Sequence, residues 1–243
     1  MRVTVLGCGD AFGSGGRFNT SFHLRLHDDR RVLIDFGATT MVALRQQGID
    51  PDSIDSVVIS HLHGDHFGGL PFFLLHLQYN AQRSRPLTIA GPPEVGETVK
   101  KALAVFFGGI RPSWGFPMRF VEMSPGASVD LDGLSVTPFP VVHGNVTSHA
   151  LRIVDGGTVL AYSGDTAWTD VLYEVADKAD LFIMECYDYD CFCPTHTDWR
   201  TLQRHLPGLT AKRVALTHLN STMLSHRAEA TVEVLDDGKV MDI

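Results

Sequence analysis

The sequence predicts a mixed α/β (α+β) fold in which two stacked β-sheets carry helices on their outer faces. Short β-type runs fall into two groups, one in each half of the chain, and helical patterns accompany each group. Sheets and helices that each have an apolar face are buried by packing in layers. The chain has 243 residues, 44% of them apolar, which is enough for a substantial core, so we expect a single domain over 1–243.

The first half opens as a β-meander and then alternates strands with helices. Gly48 ends the first helical pattern, and Gly91-Pro92-Pro93 separates a strand from the third helix. The apolar periodicity predicts strands at 2–7, 21–26, 32–35, 56–60 and 87–90, and helices at 38–47, 66–77 and 94–106.

The second half begins with strands in succession and then returns to alternation. The patterns predict strands at 119–122, 128–131, 135–139, 149–154, 159–163, 181–185 and 214–217, and helices at 170–178 and 199–205. Asp236-Asp237-Gly238 is typical of a hairpin turn, so we expect two final strands paired across it.

The hexapeptide His61-Leu62-His63-Gly64-Asp65-His66 directly follows the apolar run Val57-Val58-Ile59. Neutral imidazoles and carboxylates are the usual nitrogen and oxygen donors to Zn²⁺. A histidine-rich turn without metal is the alternative, but it would leave crowded polar groups unpaired at a cost in free energy. The hexapeptide therefore predicts a metal centre at the end of a strand.

His143, Asp165 and His218 each come immediately after an apolar strand pattern. Taken singly, either histidine could be structural, and Asp165 could be a turn residue. Together with the hexapeptide they supply five histidines and two aspartates. That set is enough for two metal ions about 3.5 to 4 Å apart, with positions left open for water and substrate.

The ordered set of these residues resembles the metallo-β-lactamase superfamily. The resemblance implies a four-layer αββα sandwich of two mixed β-sheets with outer helices, and a binuclear site between the sheets. It also implies which residues hold each ion: His61, His63 and His143 the first, Asp65, His66 and His218 the second, and Asp165 both.

Within the superfamily the chain resembles the ribonuclease Z-like branch. The segments 5–11 and 17–21 are similar to that branch's N-terminal glycine loop and Asn-Thr strand start, and His143 follows His66 by 77 positions, a long interval. The resemblance implies that Glu185 orients His196 and that His196 donates a proton to the leaving oxygen. The alternatives are an ion-paired Glu185 and a solvated His196. Asp65 is a further candidate proton acceptor.

Two departures from the branch argue against tRNA as substrate. Asp165 follows His143 by only 22 positions, which leaves no room for the long arm that grips tRNA in the processing enzymes. The segment 219–223 after His218 also lacks the proline and arginine usual there. We expect a chain of the ribonuclease Z-like type without the tRNA-binding arm.

Composition restricts the partners. The chain carries 20 basic and 28 acidic residues, and the net charge of -8 opposes attraction to nucleic acid or an anionic membrane. No apolar run is long enough to span a membrane and Met1 leads directly into a strand pattern, so we expect a cytoplasmic protein with a small-molecule substrate. The four cysteines do not form a disulfide framework. The oligomeric state stays open, a homodimer included.

The residues predict a binuclear-zinc hydrolase, in first place a phosphodiesterase. Water shared by two Zn²⁺ ions loses a proton near neutral pH and becomes a positioned nucleophile. Mn²⁺ or iron could replace zinc. The alternatives are a lactonase or other ester hydrolase on the same ligands, a diiron oxidoreductase and a noncatalytic metal-stabilised binding protein. The oxidoreductases usually have glutamate where His63 stands, together with a flavin domain.

Overall fold

The structure is a computed structural model that describes residues 1–108 and 113–243. Within these residues the strands form two seven-stranded sheets. In the first sheet six strands follow the order β1-β2-β3-β4-β5-β6, with antiparallel pairing from β1 to β3 and parallel pairing from β3 to β6, and the last strand of the chain pairs with β1 as the seventh. Their bounds are Arg2–Gly7 (β1), Ser21–Arg25 (β2), Arg31–Ile34 (β3), Ser56–Val58 (β4), Leu87–Gly91 (β5) and Met118–Glu122 (β6).

The second sheet is built from the strands of the second half. Its order is β7 to β13 in sequence, with antiparallel pairing up to β10 and parallel pairing from β10 onward. The bounds are Val129–Leu131 (β7), Leu134–Val141 (β8), Ser148–Asp155 (β9), Thr158–Tyr162 (β10), Leu181–Glu185 (β11), Val214–Thr217 (β12) and Glu233–Val234 (β13).

The expected hairpin across Asp236-Asp237-Gly238 is wrong. The last strand, β14 (Val240–Asp242), returns to the first sheet and pairs antiparallel with β1, whereas β13 pairs with β12 in the second sheet. The turn is held against β1 by the Gly238 N–H, which donates to the Val5 carbonyl at 2.7 Å. Turn chemistry fixes where the chain reverses, but not which strand edge receives it.

The helices lie outside the sheets. Their bounds are Thr40–Gln46 (α1), Gly64–Phe67 (α2), Leu70–Leu75 (α3), Val95–Phe106 (α4), Val171–Ala176 (α5), Trp199–His205 (α6) and Ser221–Ser225 (α7). The helix predicted at 66–77 is interrupted at Gly68-Gly69, where the Gly69 N–H donates to the Phe36 carbonyl at 2.9 Å instead of continuing the helix. A Cβ on Gly69 would lie 2.2 Å from the Gly37 carbonyl oxygen, so this close approach needs glycine. In the described part of the chain no helix is long and apolar enough to cross a membrane.

Three apolar clusters separate the layers. On β3, Val32 and Ile34 face the core between the two sheets, whereas Leu33 faces the cluster under α1, α3 and α4. Trp199 and Leu172 belong to the third cluster, under α5 and α6 on the outer face of the second sheet. Successive side chains of a strand point to opposite faces, so each sheet is buried on both sides. The predicted four-layer αββα sandwich of two mixed sheets is confirmed.

Candidate metal centre

Four strands from both sheets end at one edge of the sandwich, and each precedes predicted ligand residues. In the first sheet, β4 leads into the segment 60–66. In the second sheet, β8 ends shortly before His143, β10 shortly before Asp165 and β12 next to His218. Because β8, β10 and β12 run in the same direction, their carboxyl ends meet at the same edge. All seven predicted ligand residues are brought together there.

The first ligand group, here called the histidine trio, consists of His61, His63 and His143. Each offers one ring nitrogen, and these nitrogens all lie within 4.8 Å of one another. His63 Nδ1 lies 3.0 Å from His143 Nε2. The Nδ1 of His143 lies 2.8 Å from the Thr195 carbonyl oxygen, to which it donates, so Nε2 of the neutral ring carries a lone pair towards the site.

The second group, here called the aspartate quartet, consists of Asp65, His66, Asp165 and His218, whose donor atoms also lie within 4.8 Å of one another. His66 Nε2 lies 3.2 Å from both Asp65 Oδ2 and Asp165 Oδ2. His218 Nε2 lies 3.2 Å from the same Asp165 oxygen. Two carboxylates and two imidazoles therefore surround one point.

Asp165, a member of the aspartate quartet, also faces the histidine trio. Its Oδ2 is 3.8 Å from His61 Nε2 and 3.9 Å from His143 Nε2, in addition to its contacts within the quartet. Burial favours the neutral form of the carboxyl, but the imidazoles of His218 and His66 outweigh burial and hold the pKa of Asp165 well below its usual range. An ionised, buried carboxylate thus faces both groups.

The donor set fits metal ions. Among the described residues, three buried atoms of the cluster have no hydrogen-bond partner: His61 Nε2, His66 Nε2 and Asp165 Oδ1. Buried polar atoms are rarely left in this state without a ligand, since the loss of water is then uncompensated. Imidazole nitrogens and carboxylate oxygens suit Zn²⁺, Mn²⁺ and iron. The cluster can accordingly hold metal, with one group of ligands on either side of Asp165.

Asp35 supports the site through a hydrogen bond to the ligand residue His66. It was not among the predicted site residues. It is fully buried, and its Oδ2 accepts hydrogen bonds from His66 Nδ1 at 2.7 Å, the Ser60 hydroxyl at 2.8 Å and the Tyr162 hydroxyl at 3.0 Å. Ser60 Oγ lies in turn 3.1 Å from His61 Nδ1. A carboxylate that accepts from the far nitrogen of a ligand histidine fixes the ring and its tautomer.

Two supporting positions hold unusual backbone. Asp35 and His218 have φ values of 58° and 62°, in the left-handed region that residues with a Cβ seldom adopt. The His218 N–H donates to the Cys8 carbonyl at 3.0 Å, which helps to hold that conformation. Gly37 lets the hexapeptide approach, since a Cβ there would lie 2.0 Å from the Asp65 carbonyl oxygen. The fold imposes these conformations at the site.

The structure brings the side chains of Glu185 and His196 into contact. His196 Nδ1 lies 3.2 and 3.3 Å from the two oxygens of Glu185, which is fully buried at the end of β11. Burial raises the pKa of Glu185 to about 7. Burial opposes the charged form of His196, but the Glu185 carboxylate outweighs it and raises the pKa of His196 to about 9. The Thr166 N–H also donates to Glu185.

The His196 ring contacts both ligand groups. Its centroid lies 4.8 Å from that of His143 and 5.4 Å from that of His218, and Tyr187 stacks on it at 4.6 Å. The solvated His196 considered from the sequence is thus excluded, because the ring is packed at the site. Tyr187, whose place the sequence left undecided, lies in the pocket wall.

The ligand cluster opens into a pocket of about 360 Å³. This lies near the lower end of the range of ligand pockets, about 300 to 1,000 Å³. Its described lining contains no lysine or arginine and consists of Ala11, Phe12, His63, Asp65, His143, Gly144, Asn145, Val146, Asp165, Tyr187, Thr195, His196 and His218. The pocket is suited to a small ligand, and among its described lining residues only the histidines can carry positive charge, to which a bound metal would add.

The chain matches one protein family over nearly its whole length and is similar to several known proteins. The family described as "Anti-Pycsar protein Apyc1" matches residues 1–240. The uncharacterized protein ML1173 of Mycobacterium leprae is 34% identical over 220 residues, which are 88% of this chain and 73% of that protein. A ribonuclease Z of Lachnoclostridium phytofermentans is 35% identical over 154 residues, which are 63% of this chain and 48% of that enzyme. The match thus spans about half the length of that ribonuclease.

The structural comparison agrees with the fold. YhfI of Bacillus subtilis, a metallo-beta-lactamase fold protein, has a TM-score of 0.80 and 21% sequence identity, and the match covers 99% of both chains. Together with the ribonuclease Z match, it confirms the predicted resemblance to the metallo-β-lactamase superfamily and its ribonuclease Z-like branch. The arm is absent, because β9 and β10 follow each other through the turn at 156–157, between His143 and Asp165.

Proposed function

The chain belongs to the Anti-Pycsar protein Apyc1 family, and on that premise we propose that it is a metal-dependent phosphodiesterase that hydrolyses a small phosphodiester such as a cyclic nucleotide. The observation that carries the proposal is the convergence of the histidine trio and the aspartate quartet on Asp165, beside the Glu185–His196 pair. A ligand cluster alone would suit a structural metal site. The adjoining histidine and the open pocket favour retained chemistry.

The histidine trio would hold one Zn²⁺ ion and the aspartate quartet a second, with Asp165 shared between them; Mn²⁺ or iron are the alternative metals. When bound, such a pair of cations lowers the pKa of water and stabilises negative charge on a substrate oxygen. The chain's own residues set the conditions for this. They surround the metal positions with buried carboxylate and imidazole groups. Asp35 and Thr195 keep the imidazoles oriented, and one side of the cluster stays open to the pocket.

His196 is proposed as the proton donor to the leaving oxygen. Its Nδ1 is held by Glu185, which leaves Nε2 as the nitrogen available to a ligand in the pocket. The ring packs against His143 and His218, so an oxygen leaving from a phosphorus centred at the ligand cluster departs next to it. An alkoxide is a poor leaving group without a proton, and a positioned imidazole supplies one. Asp65 remains a ligand first and a proton acceptor second.

Charge favours a small diester over a polyanion. A phosphodiester carries one negative charge, which the bound metal and the histidines can balance. The described pocket lining offers no arginine or lysine to hold further phosphates, and the net charge of -8 opposes the approach of a nucleic acid. Without an arm between His143 and Asp165, the chain also lacks the element expected to grip tRNA. Pre-tRNA is therefore not proposed as the substrate.

The test combines metal content with a substrate panel. Elemental analysis of the purified protein should find up to two transition-metal ions per chain. The panel contains bis(p-nitrophenyl) phosphate, 3′,5′-cyclic nucleotides, lactones and nitrocefin, and only the phosphodiesters should be hydrolysed. Hydrolysis of lactones alone would identify an ester hydrolase. A fully metal-loaded protein that is inactive on every phosphodiester would contradict the proposal.

A further inference from the structure

Phe12 is a large apolar side chain that the fold leaves in solvent at the mouth of the pocket. It is 82% exposed, yet it lines the same pocket as His63, Asp65 and His196. A single exposed apolar side chain elsewhere on a surface needs no explanation. At the entrance to a candidate active site, the same side chain offers a free apolar face to whatever binds there.

The loop that carries Phe12 is fixed rather than loose. Asp10 is only 1% exposed, and its Oδ1 accepts hydrogen bonds from the N–H groups of Phe12 at 3.1 Å and Ser14 at 2.9 Å. Its Oδ2 accepts from the Ser14 hydroxyl at 2.8 Å. Gly13, with a φ of 69°, allows the turn. The backbone therefore holds the Phe12 side chain at the rim before any ligand arrives.

These hydrogen bonds also decide what the loop can offer. A glycine-rich loop can cradle a phosphate through free backbone N–H groups. Here the N–H groups of Phe12 and Ser14 are already bound to the Asp10 carboxylate, which would itself repel a phosphate. Of the two described loop residues that line the pocket, Ala11 and Phe12, only Phe12 presents a large side chain to a ligand. It suits an apolar and flat part of a ligand, not the charged part.

We propose that Phe12 is the stacking surface for the aromatic base of a nucleotide substrate, an inference that rests on the proposed phosphodiesterase function. Tyr187, the other Phe, Tyr or Trp ring in the described lining, already stacks on His196, with centroids 4.6 Å apart and an interplanar angle of 25°. Phe12 is 82% exposed and stacks on no other ring of the described residues. The phosphodiester binds at the ligand cluster, and the base extends to the rim of the pocket. Stacking on an aromatic side chain there contributes affinity without discriminating between different bases.

The experiment compares two ligands that differ only in the base. Adenosine 5′-monophosphate and ribose 5-phosphate are titrated calorimetrically into the metal-loaded protein. Phe12→Ala should weaken binding of the nucleotide by about 5- to 20-fold, since stacking on one exposed face lies at the low end of base–aromatic contacts. Binding of ribose 5-phosphate should stay within about twofold, and Phe12→Trp should restore nucleotide binding.

Phe192→Ala is the matched control, because Phe192 is 78% exposed but does not line the pocket. It should leave the affinities for both ligands unchanged. In turnover of a 3′,5′-cyclic nucleotide, Phe12→Ala should raise KM by the same factor as the binding loss, with kcat retained, because stacking is equal in the ground and transition states. Phe12 is 82% exposed and outside the core, so Phe12→Ala removes no core packing.

Three results would overturn the inference. The first is nucleotide binding by Phe12→Ala within about twofold of the native protein. The second is an equal loss for both ligands, and the third is a native protein that binds neither. Failure of the proposed function gives a different pattern: the native protein then hydrolyses no phosphodiester, while the base-dependent difference in binding still follows Phe12.

Discussion

The histidine trio and the aspartate quartet are held in place by different kinds of partner. In the trio, His143 donates to the carbonyl of Thr195, a neutral acceptor in a loop. In the quartet, His66 donates to the buried carboxylate of Asp35, and two of the four members are themselves carboxylates. Burial opposes the protonated form of His66, but the surrounding carboxylates outweigh it and raise its pKa well above the usual value. Negative charge is thus concentrated on one side of a single cluster.

This difference indicates that the two sides of the cluster have unequal demands for positive charge. Where the carboxylates gather, a cation removes strong repulsion and satisfies His66 Nε2. On the side of the histidine trio Asp165 is the one carboxylate that faces the imidazoles, at 3.8 and 3.9 Å, so a cation there gains less from this electrostatic contribution. We therefore expect the aspartate quartet to retain its metal at chelator concentrations that empty the histidine trio.

The largest effect should come from Asp165→Asn, because this change removes the carboxylate of the quartet that also faces the histidine trio. On the proposed function, we expect metal to be lost from both groups and turnover to fall by roughly 10³-fold or more, since a bound metal would contribute several kcal/mol to transition-state stabilisation. Elemental analysis and turnover measure the two effects. Asp155→Asn is the control: this buried aspartate also bonds a histidine, His27, but lies outside the cluster. Retention of both metals in Asp165→Asn would contradict the shared role.

His196→Ala should lower turnover without changing the metal content of either group. We expect a loss of about 10²- to 10⁴-fold on substrates with alkoxide leaving groups, as for other positioned proton donors. The loss should be much smaller on bis(p-nitrophenyl) phosphate, whose leaving group needs no proton. His205→Ala is the control, because His205 is similarly stacked, on Trp168 at 4.1 Å, but outside the pocket. Equal losses on both kinds of substrate would contradict the donor role.

Asp35→Asn tests the comparison directly. The variant keeps the size of the side chain but not its charge, so His66 loses its ionised acceptor. We expect the metal affinity of the quartet to fall by about 10- to 100-fold, the usual cost of removing such a supporting partner, with a smaller fall in the trio. Competition with a chelator should show whether the two groups then lose metal at the same chelator concentration or in the reverse order. An unchanged order would show that the support by Asp35 is not what distinguishes the groups.

Tyr162→Phe should have the smallest effect. It removes one of the donors to Asp35 but leaves the carboxylate charged and bonded to His66. We expect a loss of about 0.5 to 1.5 kcal/mol in the free energy of unfolding, the net value of a buried hydrogen bond. This corresponds to a decrease of a few degrees in Tm, measured by thermal unfolding. The metal affinity measured by chelator competition should be unaffected. A fall in metal affinity as large as that for Asp35→Asn would show that the hydroxyl hydrogen bonds, rather than the carboxylate, support the ligand residues.

The ligand residues could be named from the sequence because each follows an apolar strand pattern in an order that resembles a known superfamily. Strand ends at one edge of a sheet are close in space, so local pattern and order were enough to predict the cluster. The αββα sandwich and the ribonuclease Z-like resemblance are confirmed. The chemical roles of the ligand residues, Glu185 and His196 stay predictions, as does the single domain over 1–243.

The sequence by itself determined the periodicity of the strands, the donor types and their order along the chain, because these depend on residues close to one another. Only the tertiary structure decided that Asp35 lies beneath His66, that β14 pairs with β1, and that Phe12 stands free at the rim. Each of these depends on which strand or loop lies beside which. Neighbours of that kind are set by packing between segments distant in sequence, which no local pattern encodes.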